Sequence, residues 1–392
     1  MPSASIIIPT CNRAEFLLAS ISAILTYVND VEIIVSDNSE TDEIRLLLAP
    51  QIQNGTVRYE YIPNPVSVVE NFERAISLAT GDFITCIGDD DCVGPGFNDV
   101  LAWVKANEID AVYSYNNRFI ANYFWPKVTS HYFGQGYQAK LFVTNYTGRA
   151  IKIDGKNAVR TAAKNLGNGL GLMPRIYHGL VRKTLLDNIR HKYGSIFGGV
   201  SPDIYSATLI SLEASRIYQI DAPFILPGAS PKSTAGEGAA RTDRSNLFEV
   251  EHIRRFGSNL VWSEKIPAFY SPHNVWAYSM LCALNKAHPQ DVHPNFMRLI
   301  LKGLIGDWSF RKQILSTASF NIKNTGLFIN ALNLFNASLS EMYFIIRRIY
   351  WKFISKPTTY ENINDIGAAL TILLKEEKHR SFHLRDILDK SL

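Results

Sequence analysis

The chain has 392 residues, 46% of them hydrophobic and 19% charged, with a net charge of +4. This balance excludes a disordered chain and gives no charge-based ground for nucleic-acid binding, while the length suits two domains or one with a large appendage. Four cysteines, Cys11, Cys86, Cys92 and Cys282, form no CxxC pair and read as reduced thiols of a cytosolic protein. With neither an apolar leader nor a run of about 18 apolar residues, no signal peptide and no transmembrane helix is expected.

In chain order, Ser5–Ile8 is a short apolar run, as for a strand covered on both faces, and Pro9-Thr10-Cys11-Asn12-Arg13 breaks it. Phe16, Leu17, Ile21, Ile24, Leu25 and Val28 recur at helical spacing. A second buried strand at 31–35 ends in Ser36-Asp37-Asn38-Ser39. Residues 41–49 read as helix, 57–62 as strand, 67–79 as helix, 82–87 as strand, 97–106 as helix and 110–115 as strand. Strands alternating with helices predict a mainly parallel α/β sheet with helices on both faces.

Residues 118–155 are rich in aromatics (Phe119, Tyr123, Phe124, Trp125, Tyr132, Phe133, Tyr137, Phe142, Tyr146) without a clear period. They suit either sugar stacking near a crevice or a second small core. Residues 176–181 read as strand, 185–189 as a short helix, 203–213 as a helix entered through Pro202, and 216–220 as a final strand. The segment 227–246 has a loop composition and carries Lys232, Arg241 and Arg244, which suit closure over phosphates or a solvated linker. Beyond about residue 247 the pattern is helical. In 341–356, Met342, Ile345, Ile346, Ile349 and Phe353 oppose Arg347, Arg348, Lys352 and Lys356; such a helix can lie on an anionic bilayer or pack on a neighbour. Gly167–Gly171 lacks full GxGxxG spacing, and P-loop, HExxH and nucleophile-elbow patterns are absent.

The feature that points to chemistry is Asp89-Asp90-Asp91, directly after a strand. Three adjacent carboxylates there repel and desolvate one another unless a cation joins them, and Mg²⁺ or Mn²⁺ would suit such oxygens together with a diphosphate. The other reading is a polar turn. In open parallel sheets, ligands bind beyond the carboxyl ends of the strands. Thr10, Asn12, Arg13, Asp37, Asn38 and Asp89–Asp91 all fall at such ends, so the order of elements gathers them at one crevice.

The succession Ser5-Ile-Ile-Ile-Pro-Thr-Cys-Asn-Arg13, Glu32-Ile-Ile-Val-Ser-Asp-Asn-Ser39 with Thr41-Asp42, Asn64, Glu70-Asn71, Gly81-Asp82 and Gly88-Asp-Asp-Asp91 resembles family 2 glycosyltransferases of the GT-A fold. The resemblance covers residues 3–115 well and 176–240 loosely. It implies a GT-A domain over 1–245, followed by a helical domain over 246–392. It implies that Pro9, Thr10, Asn12, Arg13, Asp37, Asn38, Asp89 and Asp90 line a nucleotide sugar, with Asp37 accepting from N3–H of uracil. Asp91, with Asp89, would hold the divalent metal. Inversion needs a general base, for which the resemblance offers Asp203; a helix-capping role is the other reading of that residue. His178, on the preceding strand, is either a further site residue or a core histidine. The expected protein moves one sugar, from a UDP-linked donor, to a hydroxyl of a glycan or lipid-linked acceptor in surface-polysaccharide assembly, in the cytoplasm or peripherally at the inner membrane face. No Gln-x-x-Arg-Trp run follows Asp203, which argues against a processive synthase. A nucleotide-sugar nucleotidyltransferase and a catalytically inactive nucleotide-binding protein stay open as alternatives.

Overall fold

The structure, a computed structural model, describes residues 2–114, 120–131, 134–240, 244–354, 356–380 and 383–391. Phe119, Tyr132, Phe133 and Arg241, singled out above, lie outside them.

An eight-stranded sheet organises the first half of the chain. Its order is Val57–Tyr61, Val31–Asp37, Ala4–Thr10, Phe83–Cys86, Gly179–Arg182, Ala111–Ser114, Ile217–Ile220, Ala150–Lys152. The strands run parallel except Gly179–Arg182 and Ala150–Lys152, which are antiparallel to their neighbours. Alternation along the first strand explains its continuous apolar run. Ile6 and Ile8 enter the core on one side of the sheet and Ile7 the core on the other, all fully buried. The register Ile6↔Ile33, Ile7↔Ile34 and Ile8↔Val35 extends this division to the next strand. Helices Ala14–Tyr27 and Phe97–Ala106 pack on the first side, and Val68–Ser77, Lys183–Tyr193 and Pro202–Glu213 on the second. Ser67 starts its helix by accepting a bond from the Glu70 amide, 3.2 Å.

Two sequence expectations shift. The helix expected over 41–49 is two short helices, Glu43–Leu47 and Ala49–Gln53, with Pro50 opening the second. The strand expected over 176–181 begins only at Gly179, because the chain reverses at His178. Tyr177 makes a parallel bridge to Cys86, His178 takes a left-handed φ of 61°, and Val181 then pairs antiparallel with Ile84.

The aromatic-rich segment resolves into strands Ala121–Phe124 and Lys140–Val143 beside the main sheet. Tyr123, Trp125 and Tyr146 are buried in the main core, which corrects both the sugar-stacking and the separate-core readings for these three.

Packing crosses the expected boundary at 245/246. Helix Pro272–Ala287 lies on Pro202–Glu213. Against the helical expectation beyond residue 247, Phe269–Tyr270 pairs antiparallel with Ser245–Asn246, and Thr358–Tyr360 with Lys140–Val143. Ile366–Lys378 then packs on Ala14–Tyr27, and Leu384–Asp389 on Phe97–Ala106. Ile366, Leu370, Leu373, Leu384 and Leu388 are thereby part of the first core.

Candidate functional site

The carboxyl edge of the sheet carries the site. Asp89, Asp90 and Asp91 follow the strand Phe83–Cys86 and are almost completely buried. Arg13, from the break after the first strand, spans two of them: Nη1 lies 3.0 Å from Asp89 Oδ1 and Nη2 2.9 Å from Asp90 Oδ2. Its Nη2 also donates to Ser230 Oγ at 2.5 Å. Thr10 Oγ1 donates to Asp89 Oδ2 at 2.7 Å. The Ser230 amide donates to Asp90 Oδ2 at 2.8 Å, and Trp125 Nε1 to the Asp90 carbonyl at 3.0 Å. Burial pushes the Asp89 carboxyl up to about 7 against the pull of Arg13, with Asp90 and Asp91 adding to the rise. Asp90 moves up for the same reason.

Asp91 is held differently. The amides of Gly88 and Gly228 donate to its two oxygens at 2.6 and 2.7 Å. Tyr177 Oη donates at 3.1 Å, and His178 Nε2 lies 2.6 Å from Oδ2. Although burial opposes its charge, His178 and these amides hold its carboxyl below the usual carboxylate range. The segment after residue 227 is therefore anchored at its start, not a free linker. A Cβ at Gly228 would meet the Asp90 carbonyl oxygen at 1.8 Å, so only glycine allows the approach. Thr234–Ala240 is helical, and Arg244 pairs with Asp307 at 2.8 Å; Lys232 is exposed.

On the other side of the first strand, Asp37 is fully buried. It accepts from the Ser39 amide at 2.8 Å and from Tyr59 Oη at 2.7 Å. Asn38 is a staple: Nδ2 donates to the carbonyls of Ile62 and Asn64, and Oδ1 accepts from the Val66 amide and Arg255 Nη1. Asn12, left-handed at φ 57°, accepts from the Glu40 amide through its side-chain Oδ1 at 3.0 Å and donates its own backbone amide to Ser39 Oγ at 2.8 Å. Pro9 is half-buried beside them.

Asp203 occupies the first turn of Pro202–Glu213. Among the described residues its carboxylate caps no amide, which removes the helix-cap reading. Burial pushes it up to about 6, with His178 and Arg175 pulling down and Asp91 up, so it shares one electrostatic neighbourhood with Asp91. Sequence reasoning missed Tyr177, Ser230, Gly228 and Arg255. Only the Tyr177-His178 pair, where an apolar run breaks, offered a local signal.

The donor set fits a hard divalent cation in its chemistry: three buried carboxylates face one guanidinium and one imidazole. Asp89 Oδ1 is a buried acceptor without a well-aligned hydrogen bond. Among the described residues, no three His, Cys, Asp or Glu side chains already converge as a ligand set.

Residues 5–166 match the family described as Glycosyl transferase family 2. The GalNAc(5)-diNAcBac-PP-undecaprenol beta-1,3-glucosyltransferase of Campylobacter jejuni is 33% identical over 112 residues. That segment is 28% of this chain and 36% of that protein, so the chain matches little more than a third of the relative's length. Among solved structures, S. aureus TarS 1-349 in complex with UDP-GlcNAc superposes with a TM-score of 0.46 at 14% identity, over 86% of this chain and 79% of that one. TarS 1-349 gives 0.44 at 15%, over 83% and 92%.

Proposed function

We propose that this chain, whose residues 5–166 match the family described as Glycosyl transferase family 2, is a glycosyltransferase that moves one sugar from a UDP-linked donor to a hydroxyl of a lipid-linked or free glycan, with inversion, in surface-polysaccharide assembly. The observation that carries this reading is the gathering of Thr10, Arg13, Asp37 and Asp89–Asp91 at one sheet edge, with Asp203 in the same electrostatic neighbourhood. The acceptor class is drawn from the Campylobacter relative, whose name describes a glucosyltransferase acting on an undecaprenol-linked glycan.

In this reading Asp37 and the Thr10 turn hold the nucleoside, and Asn38 and Asn12 keep that wall in shape. Arg13 fixes the Asp89 and Asp90 carboxylates. Mg²⁺ or Mn²⁺, held by Asp89 and Asp91, would neutralise charge growing on the departing diphosphate. Asp203, ionised above about pH 6, takes the proton of the acceptor hydroxyl as that oxygen attacks the anomeric carbon. His178 orients Asp91 through its Nε2 contact.

The test is Asp203→Asn. Nucleotide binding should persist while sugar transfer falls by about 100-fold or more, the usual scale of general-base loss. Near-normal turnover would place the base elsewhere.

A further inference from the structure

The long helix Leu327–Ile354 is apolar on its wrong side for a globular protein. Its inward face is mostly polar or small, with one aromatic, Phe344, beneath the Arg298 guanidinium. Asn330 and Ala337 are buried there, and Glu341 meets Arg298 and Lys302 of the helix Met297–Gly306. Opposite that face, Phe328, Phe335, Leu339, Met342, Ile346 and Ile349 stand exposed, Phe328 at 81% and Phe335 at 60%. Leu334 and Ile345 extend the stripe on one flank and Tyr343 on the other, all exposed. At 3.6 residues per turn, this apolar sector takes in about half the circumference.

Charge points to the occupant. Residues 297–356 hold nine Lys and Arg against two acidic residues, in a chain whose net charge is +4. Both acids are withdrawn: Asp307 is buried against Arg244, and Glu341 is taken by Arg298 and Lys302. Arg311, Lys312, Lys323 and Lys356 are exposed, and Arg347, Arg348 and Lys352 lie along the stripe's C-terminal half in sequence. A second copy of the helix would bury only a narrow seam and would bring like charges together. A flat anionic bilayer covers half a circumference and matches the excess of Lys and Arg over free acids in residues 297–356.

We infer that Leu327–Ile354 is a docking surface for an anionic lipid bilayer, lying in the interface along its length. No helix of the described residues is long and apolar enough to cross a membrane, so the contact is in-plane. The inference deepens, and rests on, the reading of a lipid-linked acceptor, since docking would bring the sheet-edge crevice to a membrane-held substrate.

Flotation of the full chain with vesicles tests it, using phosphatidylglycerol–phosphatidylethanolamine against pure phosphatidylcholine at low and high salt. The inference expects binding to the anionic vesicles, weakened by salt. Phe335→Glu with Ile346→Glu should lower the partition coefficient at least tenfold. Arg347→Gln, which keeps the apolar face, should lower it less. The melting-temperature rise produced by UDP with Mn²⁺ is measured on the same samples and should be unchanged. Vesicle binding without any nucleotide effect would leave the surface standing and remove the donor reading. No binding by folded protein at low salt, equal binding to neutral vesicles, or a native-mass dimer dissociated by Phe335→Glu and Ile346→Glu would each overturn the surface.

Discussion

His178 Nε2 lies 2.6 Å from Asp91 Oδ2, and the histidine reaches it from a left-handed backbone, φ 61°, at the point where a parallel bridge turns into antiparallel pairing. A strained non-glycine residue is kept where its neighbours over-determine it. Here they aim an imidazole at the most heavily hydrogen-bonded carboxylate of the triplet.

His178→Ala should cost about 2 kcal/mol of stability at pH 7, the scale of a hydrogen bond to a charged group. Because Asp91 is held below its unfolded range, its contribution is present above about pH 4 and is lost as pH falls. Urea unfolding of the wild type and His178→Ala at pH 7 and pH 3 should show the gap narrowing in acid. A constant gap would mean that the histidine only fills space.

Arg13 is the sole guanidinium within ion-pair distance of Asp89 and Asp90 among the described residues. Arg13→Ala should destabilise by about 3 kcal/mol, as expected when one partner of a buried ion pair is removed. Arg13→Lys should recover part of that, since an ammonium cannot present two parallel donors to two carboxylates. Thermal unfolding at pH 7 checks the order wild type, Lys, Ala.

Asp203 shows the opposite linkage to Asp91. Its folded-state value, raised to about 6 from 3.8, means that the folded protein binds the proton more tightly than the unfolded chain. Stability is thus lost as pH rises from about 4 to 6, by up to ~3 kcal/mol and less for a carboxylate that reaches the cleft. Asp203→Asn should therefore be more stable than wild type at pH 7 while inactive in transfer. For the wild type, kcat/KM should fall below about pH 6. Loss of both stability and activity in Asp203→Asn would argue for a purely structural role.

The helices Ile366–Lys378 and Leu384–Asp389 supply side chains to the first core. Leu370, 2% exposed, packs there with Ile366 and Leu373. Leu370→Ala should cost about 3 kcal/mol, and a chain ending at residue 245 should fail to unfold cooperatively in differential scanning calorimetry. A sharp transition of residues 1–245 alone would support the division into residues 1–245 and 246–392.

Much of the sheet was legible because its signal is local. The strands around Ile7, Ile34 and Ile84 are continuous apolar runs, and the helix Phe97–Ala106 carries its own period. What was illegible depends on distant partners. Tyr123 and Trp125 read as loop aromatics because the strand that pairs with theirs, Lys140–Val143, and the core that buries them are set by long-range packing. Thr358–Tyr360 is too short to read as a strand until Lys140–Val143 is beside it. In the site, the Asp89–Asp91 triplet and Arg13 stood out as charged residues at strand ends. Their connection did not: nothing in the local sequence of Gly228 or Ser230 says that their amides close on Asp91 and Asp90, 137 and 140 residues earlier.

The central claim is that the sheet-edge crevice binds a nucleoside diphosphate through the acidic triplet. Thermal-shift titration with UDP, GDP, CDP and dTDP, each with and without Mn²⁺, on wild type and Asp89→Asn tests it most directly, since a ligand of the folded state must raise the melting temperature. The account predicts a Mn²⁺-dependent rise that is largest with UDP and abolished in Asp89→Asn. No rise with any nucleotide, or an equal rise in the variant, would contradict it.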